Sequence, residues 1–128
     1  MTDKPVLTSE ERALECARLA LDKKATNVRI LDIRRLSTIA DFLVLADGGS
    51  DKQVQAIADS IRIGLKKYGK ALDIEGVTEG RWGVIDYGDV IVHVFQSEVR
   101  RYYDLDGVWE VAPELPIPRE YLWEGERV

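Results

Sequence analysis

Three acidic side chains, Asp73, Glu75 and Asp86, have the residue type and spacing of a metal-binding cluster. Alternate residues of a strand point to the same face, so Asp73 and Glu75 would present their carboxylates together. Upstream, the Gly-Gly-Ser segment at 48–50 predicts a tight turn that opens a helix. Divalent metal ions held by such acids activate an attacking oxygen and stabilise the leaving one. Metal-dependent nucleotidyl transfer is therefore one hypothesis for this chain.

Two features favour a scaffold without catalysis. Ser50 and Asp73 are 23 positions apart, which is longer than the spacing usual in nucleotidyltransferases of the polymerase-beta type. Isolated triplets of acid, any residue and acid are also common on exposed strands. A protein that keeps the fold without the activity is the more economical interpretation, and we expect no catalytic residue, no metal and no cofactor.

The single histidine, His93, could act as a general base beside Asp86 or Asp89. Its chain neighbours, however, are Val92 and Val94, and no serine or cysteine nucleophile stands on a convincing nearby turn. A lone histidine on an apolar strand is usually a core residue with its hydrogen bonds satisfied. We expect His93 to be held by internal hydrogen bonds.

Bulk composition predicts one soluble domain. The chain has 128 residues, 45% of them hydrophobic, which suits a single core. The one cysteine, Cys16, cannot form an intramolecular disulfide, so nothing indicates an oxidising compartment. No apolar run is long enough to span a bilayer, and the first residues lack the pattern of a signal or transit peptide. We expect a cytoplasmic protein.

Charge and aromatic residues are unevenly distributed. The net charge is −5, and residues 73–89 hold five acids against one base, whereas residues 50–69 hold four bases against two acids. An acidic surface favours a basic protein partner or a bound cation over a phosphate backbone. Aromatic side chains of the kind enriched at interfaces gather in the C-terminal half: Trp82, Tyr102, Tyr103, Trp109, Tyr121 and Trp123.

The N-terminal half predicts two helices and two strands. Thr8 and Glu11 form a capping-box pattern before a helix that ends near Lys23. VRILDIR and DFLVLADG predict strands, the second one apolar enough to be covered on both faces. Ser50 is the expected N-cap of a second helix whose buried stripe would be Val54, Ile57, Ala58, Ile61 and Leu65.

The C-terminal half predicts the remaining strands, ALDIEG, RWGVID and VIVHVF, the last of them central because both of its faces are apolar. Ser97 is the expected cap of a third helix that Gly107 stops. The predicted fold is α/β, a mixed central sheet flanked by helices. We place the domain at residues 1–112 and a proline- and aromatic-rich extension at 113–128, which would cover the sheet edge, mediate self-association or contact a partner.

Residues 75–109, EGVTEGRWGVIDYGDVIVHVFQSEVRRYYDLDGVW, resemble the Iojap-like ribosomal silencing factor family. They share its order of an EG pair, a tryptophan and an aspartate, a GD turn, VHVF, R-x-x-Y and a closing L-x-x-x-W. The upstream segment ADFLVLADGGSDKQVQAIADSI is also similar to that family. The resemblance covers roughly residues 9–111, and several linked motifs in the right order make it specific.

The resemblance implies a protein that is not an enzyme and that binds the large ribosomal subunit. Family members dock on large-subunit ribosomal protein fourteen, prevent the small subunit from joining and lower translation when nutrients are short. The family fold is related to nucleotidyltransferases, which accounts for the partial fit of the acidic motif. Net acidity agrees with a basic protein partner and little direct nucleic-acid contact. A homodimer that covers the apolar partner surface in the free protein is a further expectation.

The resemblance carries over eight candidate partner-binding residues, with Trp82 as the first candidate for an interface anchor. The set is Glu75, Trp82, Asp86, Tyr87, Asp89, Arg100, Tyr103 and Trp109. Two glycines in the same motifs, Gly76 and Gly88, are expected to meet backbone requirements. Arg100 is also expected to brace its helix against Glu75 or Asp86.

Overall fold

The computed structural model describes residues 6–127, which are built around one sheet. Its strands are β1 (Thr26–Asp32), β2 (Phe42–Gly48), β3 (Asp73–Glu75), β4 (Trp82–Asp86) and β5 (Val90–Gln96). They lie side by side in the order β1-β2-β5-β4-β3. Strands β2 and β5 are parallel, and the other neighbouring pairs are antiparallel. The predicted mixed sheet is confirmed, with β5 at its centre.

Within the described residues, four α-helices flank this sheet: α1 (Ser9–Asp22), α2 (Asp51–Leu65), α3 (Ser97–Tyr103) and α4 (Leu105–Val108). The predicted capping box of α1 is confirmed, because the Thr8 hydroxyl accepts from the Glu11 N–H and the Glu11 carboxylate accepts from the Thr8 N–H. Ser50 caps α2 by accepting from the Gln53 N–H. The Gln53 side chain binds the Gly49 N–H, one residue earlier than a capping box requires.

Helices α1 and α2 cover one face of the sheet. The five residues predicted to form the buried stripe of α2 are all fully buried. They pack against Val90, Val92 and Val94 of β5, which alternate with residues that point to the other face. The apolar residues repeat every 3.6 positions in α2 and every 2 positions in β5, and both sets therefore point into one shared core.

The other face is covered only in part. On this face, Leu31 of β1 and Leu43 and Leu45 of β2 pack with Phe95 and Ala112 to form a second core. All seven residues of β2 are buried, which confirms the prediction of a strand covered on both sides. Beyond β5, the side chains of β4 and β3 on the same face are half-buried or exposed, and Trp82 at the start of β4 packs on Tyr103 of α3.

The start of α3 and the stop after it differ from the prediction. Ser97 is the first residue of α3 rather than its cap, and its hydroxyl donates to the Asp47 carboxylate. The chain breaks at Asp104, whose φ of 49° is left-handed and whose carboxylate accepts from the Gly107 N–H to cap α4. Gly107 lies inside α4. The prediction for Gly107 was wrong because Asp104 adopts the left-handed conformation expected of a glycine. The prediction for Ser97 was wrong because its hydroxyl bonds to Asp47 and caps no helix N–H.

The segment after α4 runs along the outer edge of β1. The Asp32 N–H donates to the Pro113 carbonyl at 2.7 Å, and the Leu115 N–H donates to the Ile30 carbonyl at 2.9 Å. Further on, the Trp123 indole N–H donates to a backbone carbonyl just before β1. The described part of the extension thus covers a sheet edge that would otherwise expose unpaired backbone groups.

Within residues 6–127, no helix is long and apolar enough to cross a membrane. The division into a domain at 1–112 and an extension at 113–128 stays a prediction, as does the relation of the fold to nucleotidyltransferases.

Candidate partner-binding face

The uncovered side of β3, β4 and β5 brings acidic and apolar side chains together. Asp73 lies opposite Asp86 and Glu75 opposite Val84, and Val84 in turn lies opposite His93 of β5. Residues directly opposite each other in antiparallel strands point to the same face. We define the open face as the side chains of Asp73, Glu75, Trp82, Val84, Asp86, Ile91 and His93. The prediction that Asp73 and Glu75 point to one face is confirmed, and the register places Asp86 on that face as well.

Trp82 is held in place at one end of the open face. Its indole N–H donates to Nδ1 of His93 at 3.1 Å. Its ring centroid lies 5.6 Å from that of Phe95 and 4.8 Å from that of Tyr103. The indole is half-buried, so one part is fixed and the rest remains open to solvent. An aromatic group with a fixed rotamer loses little conformational entropy when a partner covers it.

His93 accepts a hydrogen bond from Trp82 on the open face. Burial lowers the pKa of its imidazole to about 4, so the ring is neutral near pH 7. Because Nδ1 accepts from Trp82, the proton of the neutral ring is on Nε2. Asp86 accepts from the Gly88 N–H, and Asp89 pairs with Arg12. The prediction of a hydrogen-bonded core histidine is confirmed.

The acidic side chains of the open face lie on β3 and at the end of β4, to one side of its apolar centre. Asp73 and Glu75 are exposed, and Asp86 is half-buried. Val84 lies between Asp86 and Trp82 on β4, Ile91 lies opposite Asp86 on β5, and both are half-buried. Within the described range 6–127, no three acidic, histidine or cysteine side chains are grouped so that they could hold a metal ion.

Tyr87 and Asp89 are turned away from the open face toward α1. The Arg12 guanidinium lies 5.6 Å from the Tyr87 ring centroid, and its Nε lies 3.0 Å from the Asp89 carboxylate. Burial raises the pKa of the Tyr87 hydroxyl. These two predicted site residues thus connect the turn before β5 to α1 through their contacts with Arg12.

Arg100 is the centre of a buried ion-pair network. It is 6% exposed and binds the Asp47 carboxylate at 2.8 Å and the Asp106 carboxylate twice, each time at 2.9 Å. The Arg100 hydrogen bonds lower the pKa of Asp106 to about 2. The expected brace to Glu75 or Asp86 is wrong, because the guanidinium points to the end of β2 instead.

Two candidates remain: Tyr103 packs on Trp82, and Trp109 packs against the second core. Tyr103 is 53% exposed and packs on the Trp82 ring, and Tyr102, 81% exposed, packs edge-on against Tyr103. Trp109 is half-buried against the second core. Thus Glu75, Trp82, Asp86 and Tyr103 are brought together, whereas Tyr87, Asp89 and Arg100 are not.

Four members of the open face were missed as partner-binding candidates: Asp73, Val84, Ile91 and His93. Part of the signal was present in the sequence, because alternation along β4 places Val84 on the face of Trp82. The other three share that face through the register of β3 and β5 with β4. Gly76 supports the same region: its φ is 75°, and a Cβ there would collide with the Trp82 carbonyl oxygen. Gly88 has a φ of 88°. The predicted backbone role of both glycines is confirmed.

Comparison with known proteins connects this geometry to one family. A sequence profile of the family described as "Ribosomal silencing factor during starvation" matches residues 6–126. The ribosomal silencing factor RsfS of Halalkalibacterium halodurans is 40% identical over 111 residues, which cover 85% of this chain and 95% of that protein. RsfS of Bacillus subtilis is 43% identical over 93 residues, 72% of this chain and 79% of that protein. A crystal structure of a protein from Chromobacterium violaceum superimposes with a TM-score of 0.79 at 32% identity, covering 81% of this chain and 88% of that one.

Proposed function

This chain belongs to the ribosomal silencing factor family, and on that premise we propose that it represses translation by binding the large ribosomal subunit through its open face. The observation that carries the proposal is an uncovered sheet face on which a fixed tryptophan and aliphatic side chains are bordered by acids. Aromatic anchors of this kind contribute most of the binding energy in protein interfaces.

Charge supports a basic ribosomal protein as the partner. The open face includes Asp73, Glu75 and Asp86 and no lysine or arginine, and the whole chain has a net charge of −5. Such a face repels the rRNA backbone and attracts a basic protein surface. We propose large-subunit ribosomal protein fourteen as the protein that it contacts, with little direct nucleic-acid contact.

The apolar centre supplies the affinity in this proposal. Trp82, Val84 and Ile91 are each half-buried in the free protein, so a partner removes their remaining surface from water. Truncation of a central tryptophan anchor typically costs about 2 kcal/mol or more of binding free energy. The acids beside it contribute mainly to association rate and specificity.

Repression is steric in this proposal. A protein bound where the small subunit must approach prevents joining, and no bond is made or broken. The proposed setting is the cytoplasm under nutrient limitation. A homodimer that uses the same apolar centre would be mutually exclusive with ribosome binding, since both would cover Trp82.

Co-sedimentation with isolated large subunits tests the docking surface. The wild-type protein is expected to sediment with large subunits in a sucrose gradient, and Trp82→Ala is expected to remain at the top. Trp123→Ala is the matched control, because it removes an indole whose N–H is also bonded, but to the Ala25 carbonyl between α1 and β1 and away from the open face. Equal co-sedimentation of Trp82→Ala and wild type would remove the open face from the proposal.

A further inference from the structure

A groove with the opposite charge lies on the other side of the sheet, between the end of α2 and β3. Its volume is about 380 Å³. We call it the α2–β3 groove, and it is lined by Arg62, Ile63, Lys66, Lys70, Ala71, Ile74 and Tyr87. Ile74 points to this side because it lies opposite Ile85, a residue of the core under α1 and α2. The groove is therefore separate from the open face.

The groove contains unusually exposed aliphatic side chains. Ile63 is 74% exposed and Ile74 is 39% exposed. Single exposed hydrophobic residues are common on protein surfaces, but two that line one concavity indicate a binding surface. Ala71 extends the apolar part of the lining between them.

The charged lining of the groove is entirely basic. Arg62, Lys66 and Lys70 border it, and no aspartate or glutamate is among the described residues that line it. The Asp59 carboxylate lies 2.9 Å from the Arg62 guanidinium, but Asp59 is on the surface of α2 outside the groove. In a chain whose net charge is −5, this local excess of positive charge is complementary to an acidic partner.

We propose that the α2–β3 groove binds an acidic amphipathic helix of a second protein, with the apolar side of that helix on the isoleucines and its acids on the lysines. RNA would use the basic side chains but gains little from Ile63 and Ile74, since phosphate contacts are polar. Addition of a partner strand fits poorly. Strand β3 has three residues, and the Ile74 N–H already binds the Asp73 carboxylate at 3.0 Å.

Because the groove and the open face lie on opposite sides of the sheet, both can be occupied at once. The groove would then recruit an acidic protein to whatever the open face binds. This inference does not depend on the ribosome being that target.

Binding of a synthetic helix tests the proposal. The probe is a peptide of about 18 residues, five helical turns, with leucine on one face and glutamate on the other. Titration into the ¹⁵N-labelled protein is expected to shift the amide resonances of Ile63, Lys66, Lys70 and Ile74. The double variant K66E/K70E is expected to weaken binding roughly tenfold or more, as two attractive contacts become repulsive. Ile63→Ser is expected to weaken it as well.

The matched control is K23E/K24E, which makes the same change of charge at two exposed lysines after α1. It is expected to bind the peptide like the wild type. Failure of the peptide to bind, or equal weakening by both double variants, overturns the proposal. So does an oligouridylate that binds in a K66E/K70E-sensitive but Ile63→Ser-insensitive manner, which assigns the groove to RNA. A wild-type dimer that K66E/K70E dissociates in sedimentation velocity would assign it to a second copy.

Discussion

The Trp82 indole N–H donates to Nδ1 of His93 at 3.1 Å, and this bond joins β4 to β5 on the open face. The acceptor is available because burial lowers the pKa of His93 to about 4 and keeps the ring neutral. A histidine between two core valines is thereby explained without catalysis. Its function is to fix the orientation of the aromatic side chain that we propose as the docking anchor.

The His93 environment predicts a specific dependence of stability on pH. Its pKa is about 4 in the folded protein and 6.5 in the reference state, so the unfolded chain binds more protons between those values. The stabilisation is fully present above about pH 6.5 and is lost as the pH falls toward 4, by at most about 3 kcal/mol. Urea unfolding from pH 4 to 8 measures it. His93→Gln, which keeps an acceptor for Trp82, is expected to flatten this part of the profile, and an unchanged slope would contradict the assignment.

Loss of Arg100 is expected to destabilise the fold strongly. Arg100→Met leaves the Asp47 carboxylate, 3% exposed, without its guanidinium partner at 2.8 Å. Removing one partner of a buried pair typically costs about 3–5 kcal/mol, because the other charge stays buried. Chemical denaturation checks the value. The control Arg62→Met breaks the surface pair with Asp59 and is expected to change stability by about 0.5 kcal/mol or less. Similar losses in the two variants would contradict the network.

Charge reversal on the open face is expected to weaken docking in a salt-dependent manner. Glu75→Lys introduces a like charge toward a basic partner, so large-subunit binding should fall, and the difference from wild type should shrink as ionic strength rises. The measurement is the association rate at low and high salt. Glu120→Lys makes the same change on the segment that contacts α1 and is the control. An association rate indifferent to salt would count against a basic protein partner.

The transferase hypothesis predicts labelled product when the protein is incubated with nucleoside triphosphates and Mg²⁺ or Mn²⁺. We expect no transfer, because Asp73 and Asp86 each accept from a nearby backbone N–H and are not grouped to hold metal ions within residues 6–127. Activity that disappears in Asp73→Asn would revive that hypothesis.

The elements that the sequence predicts well are those set by local periodicity. The apolar stripe of α2 and the alternation of β5 follow directly from which side chains are buried, so a single sequence predicts both. The break at Asp104 could not be predicted from the sequence, because the left-handed conformation of this aspartate depends on its contact with the Gly107 N–H. Arg100 was misassigned for a similar reason: its partner Asp47 is 53 residues away.

In the candidate site, too, the residues set by strand alternation were predicted correctly, and a residue set by a distant contact was not. Trp82 and the acids of β3 and β4 were placed together by strand alternation and by a family resemblance. Asp89 was placed with them but faces Arg12, 77 residues earlier, a pairing that only the packing of α1 reveals. Contacts of this kind between distant elements carry no local signal.

Subunit joining tests the central claim most directly. Purified large subunits are incubated with the protein, small subunits are added, and the fraction of joined ribosomes is measured in a sucrose gradient. The account predicts that the wild type and Trp123→Ala reduce joining in proportion to their concentration, whereas Trp82→Ala leaves it unchanged. Full joining in the presence of saturating wild-type protein, or equal inhibition by Trp82→Ala, would contradict it.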